Sequence, residues 1–127
     1  GVIRNTKGAI GYLNYGYVVG GKFQQAAVQN RAGNSVKASG ETSAAGLAQI
    51  VLDDKLRGTD ANPAGANAFP IVSLTWILAE PGHKTGAVKS ALRYMLSEEA
   101  QGVSDSLGYV PLPESLRQKS LAAVEGL

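Results

Sequence analysis

Phe69-Pro70-Ile71-Val72-Ser73-Leu74-Thr75-Trp76-Ile77-Leu78 is the stretch that decides the fold class of this 127-residue chain. Every even position from 72 to 78 is apolar, and the odd positions add two isoleucines. A strand that is apolar on one face and nearly so on the other belongs inside a sheet covered on both sides. The stretch therefore predicts a buried strand, which Glu80-Pro81-Gly82-His83 ends.

Helical patterns follow this strand. Apolar residues from Val88 to Leu107 recur at a spacing of three and four, which predicts one continuous helix over about 85–107 that stops at Gly108. A last helix begins at Leu112-Pro113-Glu114-Ser115, because Pro suits the first helical position and Glu suits the positive end of the helix dipole.

Shorter elements precede the strand, and together with it they alternate between strand and helix. Such alternation indicates an α/β layered architecture. The predicted elements are a helix end over 2–6, a buried strand over 9–13 in which Gly11 allows close backbone approach, a helical turn capped by Asn14, a hairpin of strands 23–29 and 35–37 around a turn at 30–34, and a helix from Ser39 to about Val51.

Composition excludes several classes of protein. The net charge is +2, from 12 basic and 10 acidic residues that are interspersed, so the chain has no basic stripe for nucleic acid. Cysteine is absent, which excludes disulfides, thiol catalysis and cysteine-ligated metal. No apolar run approaches the ~18 residues of a membrane span. We also expect no signal peptide, because polar and apolar residues alternate over 1–16 without a long apolar core. Since the chain does not begin with Met, we interpret it as a mature, processed or truncated product.

The ionisable residues that could carry chemistry each have a plainer interpretation. His83 is the only histidine and lies in a predicted surface turn, which favours a solvated loop residue over a metal ligand or a member of a catalytic triad. The pairs Asp53-Asp54 and Glu98-Glu99 are adjacent in sequence, whereas paired catalytic carboxylates share one space, so we interpret both as solvated. The sequence predicts no catalytic residue, no metal ligand and no cofactor.

The glycines and the aromatic residues also have a structural interpretation that is favoured over a binding role. The glycines between positions 8 and 21 match neither phosphate-loop pattern, so we interpret them as turn and packing residues. Tyr12, Tyr15 and Tyr17, with Trp76, could stack on a base or a sugar, but the interleaved basic residues of a single-strand binder are missing. Packing around a strand-to-helix junction is the favoured interpretation.

Three segments carry a resemblance to a known family. Gly8-Ala9-Ile10-Gly11-Tyr12-Leu13, Pro63 to Leu78 with its Ala-Phe-Pro-Ile-Val and Thr-Trp-Ile-Leu runs, and Leu107-Gly108-Tyr109-Val110-Pro111-Leu112-Pro113 occur in this order. They resemble segments of the phosphate-binding proteins of bacterial phosphate ABC transporters, and they cover the chain nearly end to end.

The resemblance implies an α/β fold, namely the C-terminal portion of a type II periplasmic-binding-protein fold with two lobes and three α/β/α layers. Residues 1–60 would form part of one ligand-binding lobe, 61–68 an inter-lobe crossing loop, and 69–127 part of the other lobe. The family's phosphate ligands lie in upstream segments that include an Arg-x-x-x-Ser-Gly-Thr motif. None of the arginines of this chain is followed by Ser-Gly-Thr, so no ligand-binding residue is inferred within it.

The expected function is therefore phosphate binding without catalysis. Implied partners are inorganic phosphate, bound through the complete protein, a membrane permease of the phosphate transporter, and the upstream part of the same protein; nucleic acid is not expected. The expected location is the periplasm or the cell surface, after export. Two alternatives stay open, a receptor for another oxyanion such as sulfate or molybdate, and a small self-associating interaction domain.

Overall fold

The computed structural model describes residues 1–80, 82 and 85–127. Short helices predominate, and one antiparallel sheet pairs Val28 with Val36 and Gln29 with Ser35. None of the helices in these ranges is long and apolar enough to cross a membrane. The elements are α1 (Val2–Asn5), α2 (Tyr15–Gly20), β1 (Val28–Gln29), β2 (Ser35–Val36), α3 (Gly40–Leu47), α4 (Thr85–Met95), α5 (Glu98–Gly102), a 3-10 turn (Asp105–Leu107) and α6 (Glu114–Glu125).

The predicted hairpin is present, although its first strand covers only Val28–Gln29 of the predicted 23–29, and it is held by one buried side chain. Asn30, which is 4% exposed, begins the turn between β1 and β2. Its Oδ1 accepts from the backbone N–H groups of Ala32 and Asn34, which closes the turn. Its Nδ2 donates to the carbonyl oxygens of Gly65, Ala66 and Ala68 at 3.2, 2.9 and 3.1 Å. Asn30 therefore joins the hairpin to the loop over 61–68.

Helix α3 begins where the sequence predicts. The Ser39 hydroxyl accepts from the Thr42 N–H, and the Thr42 hydroxyl accepts from the Ser39 N–H, which together form a capping box. The helix ends at Leu47 rather than near Val51. A cluster of buried residues lies between α3, the hairpin and the loop over 61–68. Its members are Val36, Leu47, Ile50, Pro63 and Ala68.

The predicted strand over 71–78 is wrong for this structure. Residues 71–80 have no regular secondary structure, and the side chains of Ile71 and Leu78 are 72% and 96% exposed. A strand exists only where a neighbouring strand accepts and donates its backbone hydrogen bonds. No other segment in the described part of the chain pairs with this one, because the one sheet there consists of β1 and β2.

The predicted strand over 9–13 is wrong for the same reason. These residues have no regular structure, and Ile10 and Tyr12 are 96% and 98% exposed. The atoms nearest to a Cβ built on Gly11 belong to the Ile3 side chain of α1, with Cδ1 at 2.7 Å, so the close contact there is with a side chain and not with backbone as expected. Both mispredicted strands thus leave uncharged, largely apolar side chains in solvent.

The continuous helix predicted over 85–107 is also wrong, because the chain turns twice within it. α4 ends at Met95, and Ser97 then caps α5 by accepting from the Ala100 N–H. Two carbonyl groups at this break are bound by side chains. Arg117 donates to Leu96 O at 3.1 Å, and Gln101 donates to Met95 O at 2.8 Å. A second interruption follows α5 at Gly102.

The end of this region is as predicted. Gly108 ends the 3-10 turn with a φ of 76°, in the left-handed region that favours glycine. The last helix is confirmed as α6, although Pro113 is its N-cap residue and Glu114 its first helical residue. Leu116 and Val124 are buried on α6, and Arg93 of α4 pairs with Glu125. The two-lobe, three-layer fold stays a prediction, because the described residues form only a mixed helical structure with a short sheet.

Candidate functional site

A cavity of about 350 Å³ lies between α2, the N-terminus of α3 and the 3-10 turn. Its walls come from two distant parts of the sequence, residues 15–40 and residues 105–108. Four of the residues that line it are glycines, so backbone atoms form much of its surface. The lining residues are Tyr15, Gly16, Val19, Gly20, Gly40, Asp105, Ser106, Leu107 and Gly108.

Two glycines bring the walls of this cavity together. A Cβ built on Gly16 would lie 3.1 Å from Gly108 Cα and 3.2 Å from the Leu107 carbonyl oxygen. A Cβ on Gly108 would in turn overlap the Gly16 backbone. Backbone therefore packs directly on backbone at this point, without an intervening side chain.

One carboxylate lies at the cavity edge. A Cβ built on Gly40 would lie 3.2 Å from Asp105 Oδ1, which puts the Asp105 side chain beside the first turn of α3. A negative charge is favourable there, because the first N–H groups of a helix carry partial positive charge. Asp105 is itself exposed, so the cavity is not a desolvated anion site.

The arginines are mostly engaged within the chain rather than turned toward the cavity. Arg57 pairs with Asp53 at 2.8 Å, Arg93 pairs with Glu125, and Arg117 pairs with Glu114 at 2.8 Å. The Arg4 guanidinium lies 5.0 Å from the centre of the Phe23 ring and donates to the Gly21 carbonyl. Four of the five arginines of the chain therefore have their contacts within the chain.

The same ion pairs shift the ionisation of their carboxyl groups. Hydrogen bonds from Arg57 lower the pKa of Asp53, and hydrogen bonds from Arg93 lower the pKa of Glu125. The pKa of Glu114 is lowered by Arg117 and then by Gln118. All three carboxylates are held in the charged form, which suits ion pairs and not a general acid.

The residues considered for chemistry from the sequence do not come together. His83 lies outside the described residues, and among those described no three ionisable groups are grouped as metal ligands. The carboxylates of the two adjacent pairs are exposed, as expected. The packing proposed for the tyrosines is wrong for Tyr12 and Tyr17, which are 98% and 74% exposed. Tyr15 lines the cavity.

Trp76, within the irregular segment over 71–80, is anchored to another part of the chain. Its indole Nε1 donates to the Leu56 carbonyl at 2.8 Å, and its side chain is 42% exposed. Leu56 has a φ of 58° and lies in a turn. The Asp53 side chain stabilises this turn by accepting from the Lys55 and Arg57 N–H groups. The fluorescence of Trp76, the only tryptophan of the chain, therefore reports on its contact with the turn at Leu56.

Two features of the structure were missed in the sequence. The Asn30-to-Ala68 connection crosses 38 positions, and turn composition alone does not show which asparagine will be buried. The Gly16–Gly108 contact was missed although Gly108 lies in the last of the three segments that carry the resemblance. Gly16 lies inside a predicted helical turn, where no backbone turn requires glycine. A glycine in such a position is the signal that could have indicated the contact.

Comparison with known proteins places the chain beside one group. It is 32% identical over 121 residues to the phosphate-binding protein PstS of Xylella fastidiosa, a match that covers 90% of this chain. The chain resembles PstS phosphate-binding proteins. Identity to PstS of Pasteurella multocida is 30%, and to PstS of Methanocaldococcus jannaschii 28%, over 92% and 97% of the chain.

These matches confirm the resemblance deduced from the three sequence segments. No protein-family model matches the chain. The chain spans about a third of the length of the PstS relatives, from 33% in Xylella to 36% in Pasteurella. The cavity at Gly16 and Gly108 lies within the part of the chain that resembles PstS.

Proposed function

We propose that this chain is part of the phosphate-binding component of an ABC-type phosphate uptake system. The observation that carries the proposal is the similarity to PstS phosphate-binding proteins over 90% or more of the chain. The component binds and releases phosphate without chemical change, and it delivers phosphate to a membrane permease from the periplasm or the cell surface.

The ligand groups of this component lie outside the segment. Within the described residues, most arginines are paired with carboxylates, and the cavity at Gly16 has a carboxylate rather than a cation at its edge. A phosphate site would need convergent N–H groups and cations. The segment thus contributes structure to the binding protein, and other parts of the same polypeptide contribute the ligands.

The exposed apolar segments support this assignment. Residues 71–79 carry no charge, and Ile71, Ile77 and Leu78 are each more than half exposed. Residues 10–13 are likewise uncharged and exposed. Exposed apolar strand sequences of this kind need a partner. In the proposed two-lobe fold, strands from the upstream polypeptide pair with both segments, with 1–60 in one lobe, 61–68 crossing, and 69–127 in the other.

Calorimetric titration tests this function. The complete polypeptide that carries this segment is titrated with phosphate and, separately, with sulfate, and residues 1–127 are titrated alone. We expect a saturable phosphate site in the complete polypeptide and none in the segment. Sulfate should not bind, because the resemblance implies an upstream Asp that accepts a proton from phosphate, and sulfate has no proton to donate to it.

Each other outcome has a defined meaning. Preference for sulfate would identify a receptor for a different oxyanion. Absence of any anion binding by the complete polypeptide would overturn the proposal. A saturable site in residues 1–127 alone, insensitive to added salt, would show that the ligands lie within this segment. Self-association of the segment, measured by light scattering, would be reversed by the upstream polypeptide if that polypeptide covers the exposed segments.

A further inference from the structure

Charge is distributed unevenly between the two ends of the sequence, although both signs recur along the chain as a whole. Residues 1–40 contain five basic residues and no acidic residue, whereas residues 41–127 contain seven basic and ten acidic residues. All five basic residues of the first part are exposed. The ion pairs in the described part of the chain join only residues between 53 and 125, so none of them neutralises the first part. The five basic residues are Arg4, Lys7, Lys22, Arg31 and Lys37.

Three of these cations lie where α1 contacts the turn after α2. The Arg4 guanidinium donates to the Gly21 carbonyl at 2.8 Å and lies over the Phe23 ring, which holds α1 against this turn. Lys22 is the residue after Gly21, and Lys7 lies three residues after Arg4. We call Arg4, Lys7 and Lys22 the basic junction. It forms a region of positive charge on the exposed surface.

Lys22 occupies a backbone conformation that favours glycine. Its φ of 52° lies in the left-handed region, and its N–H donates to the Val19 carbonyl at 3.0 Å in the turn that ends α2. Glycine adopts this conformation without strain, and the Lys22 side chain makes no ion pair with the described residues. Strain that the local fold does not require indicates a function for the residue that bears it. The lysine side chain is therefore available for a partner outside the chain.

An exposed tyrosine lies beside the basic junction. Tyr17 is 74% exposed, and its carbonyl oxygen accepts from the Gly21 N–H at 2.9 Å. A tyrosine, with an apolar ring and a polar tip, suits the headgroup layer of a membrane, where lysine and arginine bind phosphate groups. A lipid surface accepts cations in any arrangement, whereas an acidic protein must match their positions. Long, exposed cations next to an exposed tyrosine therefore favour a lipid surface.

We propose that the basic junction, together with Tyr17, binds the phosphate headgroups of an anionic membrane surface. Residues 41–127 carry more acidic than basic residues, so such a surface attracts the first part of the segment and repels the rest, which orients the molecule. Because three cations contribute only a modest attraction, which salt screens, the attachment is weak and reversible. The inference rests on the proposed function only for the location of the protein beside a membrane.

Co-sedimentation of the complete polypeptide with lipid vesicles tests this inference. One preparation contains phosphatidylcholine alone, and the other contains equal amounts of phosphatidylcholine and phosphatidylglycerol. The variant Lys7→Gln/Lys22→Gln is compared with Lys55→Gln/Lys119→Gln, which removes two exposed lysines from the rest of the chain and the same amount of charge. We expect the first variant to bind the anionic vesicles about tenfold more weakly than the unmodified protein, and the control less than about threefold more weakly. Binding should be absent on neutral vesicles and should weaken with added salt.

The single variant Lys22→Gly separates a role in binding from a role in the fold. Glycine adopts the backbone angle of this position freely, so the melting temperature should be unchanged or higher. Affinity for the anionic vesicles should fall about fivefold, because one cation is lost. A lower melting temperature with unchanged vesicle affinity would show that the lysine serves the fold, and would overturn the inference.

The contrary results identify other roles for the same cations. Equal vesicle affinity of the two double variants, or no binding of the unmodified protein to anionic vesicles, would overturn the inference. Retention on immobilised polyglutamate without vesicle binding would overturn it in favour of an acidic protein partner. Phosphate titration of Lys7→Gln/Lys22→Gln should give the affinity of the unmodified protein, and a loss there with unchanged vesicle affinity would show that the cations serve free phosphate. Vesicle binding by a protein that binds no phosphate would support this inference and overturn the proposed function.

Discussion

Removal of the Asn30 side chain should destabilise the hairpin region more than any other single polar truncation in this part of the chain. Asn30 is 4% exposed, and its amide makes hydrogen bonds in two directions. Its Oδ1 accepts from the N–H groups of Ala32 and Asn34, at 3.1 and 3.0 Å. Its Nδ2 donates to three carbonyl groups of the loop over 61–68. Asn30→Ala leaves all five backbone groups without these partners.

The magnitude follows from how many of those groups water can reach. Ala68 is 1% exposed, so its carbonyl oxygen stays without a partner and carries the full desolvation penalty of about 1–3 kcal/mol. Gly65 and Ala66 are exposed, so water can replace the lost donor at their oxygens. With a further ~1 kcal/mol for the weakened turn, Asn30→Ala should lower the free energy of unfolding by about 2–4 kcal/mol.

Urea unfolding followed by Trp76 fluorescence and far-ultraviolet circular dichroism measures this loss. The matched control is Asn67→Ala, an exposed asparagine of the same loop. The control should change the free energy of unfolding by less than about 0.5 kcal/mol. If Asn30→Ala and Asn67→Ala lost the same stability, the buried amide would not hold the hairpin to the loop.

Two further substitutions test the helix caps and the ion pairs. Ser39→Ala removes the capping box of α3 and should cost about 1 kcal/mol in urea unfolding, whereas Ser106→Ala, outside that box, should cost less. Glu125 has a pKa lowered below its ordinary 4.5 by Arg93, so the stability that it contributes is present above pH 4.5 and is lost as the pH falls through the lowered pKa. Glu125→Gln should therefore flatten the fall in melting temperature between neutral and acid pH. An unchanged melting-temperature profile at acid pH would contradict the pairing. The control is Glu99→Gln, which changes an exposed carboxylate.

Sequence reasoning succeeded where the cause of a structure lies within a few residues. The caps at Asn14 and Ser39, the turn at 30–34 and the left-handed stop at Gly108 each depend on local hydrogen bonds or on one backbone angle. The side chain, its acceptor and the helix start are then visible in one short window of sequence.

Sequence reasoning failed where the cause lies far away along the chain. The apolar pattern over 71–78 shows that a strand is possible there, but pairing depends on a second strand that the pattern does not contain. At the break after Met95, the guanidinium of Arg117 binds the Leu96 carbonyl from 21 positions away, a contact that the apolar periodicity does not contain. The cavity at Gly16 and Gly108 requires the approach of residues 15–40 to residues 105–108, so periodicity cannot reveal it.

The ordered parts of the chain and its exposed segments have different requirements for stability. Asn30 and Arg117 are polar anchors that bind backbone carbonyl groups, and each completes its contacts within the chain. The hairpin, α3 and the α4–α6 helices can therefore form before the segment over 71–78 has any strand partner. If upstream strands complete the sheet as we propose, this segment is ordered last, and its single tryptophan, tied to the Leu56 carbonyl, is positioned to report that step.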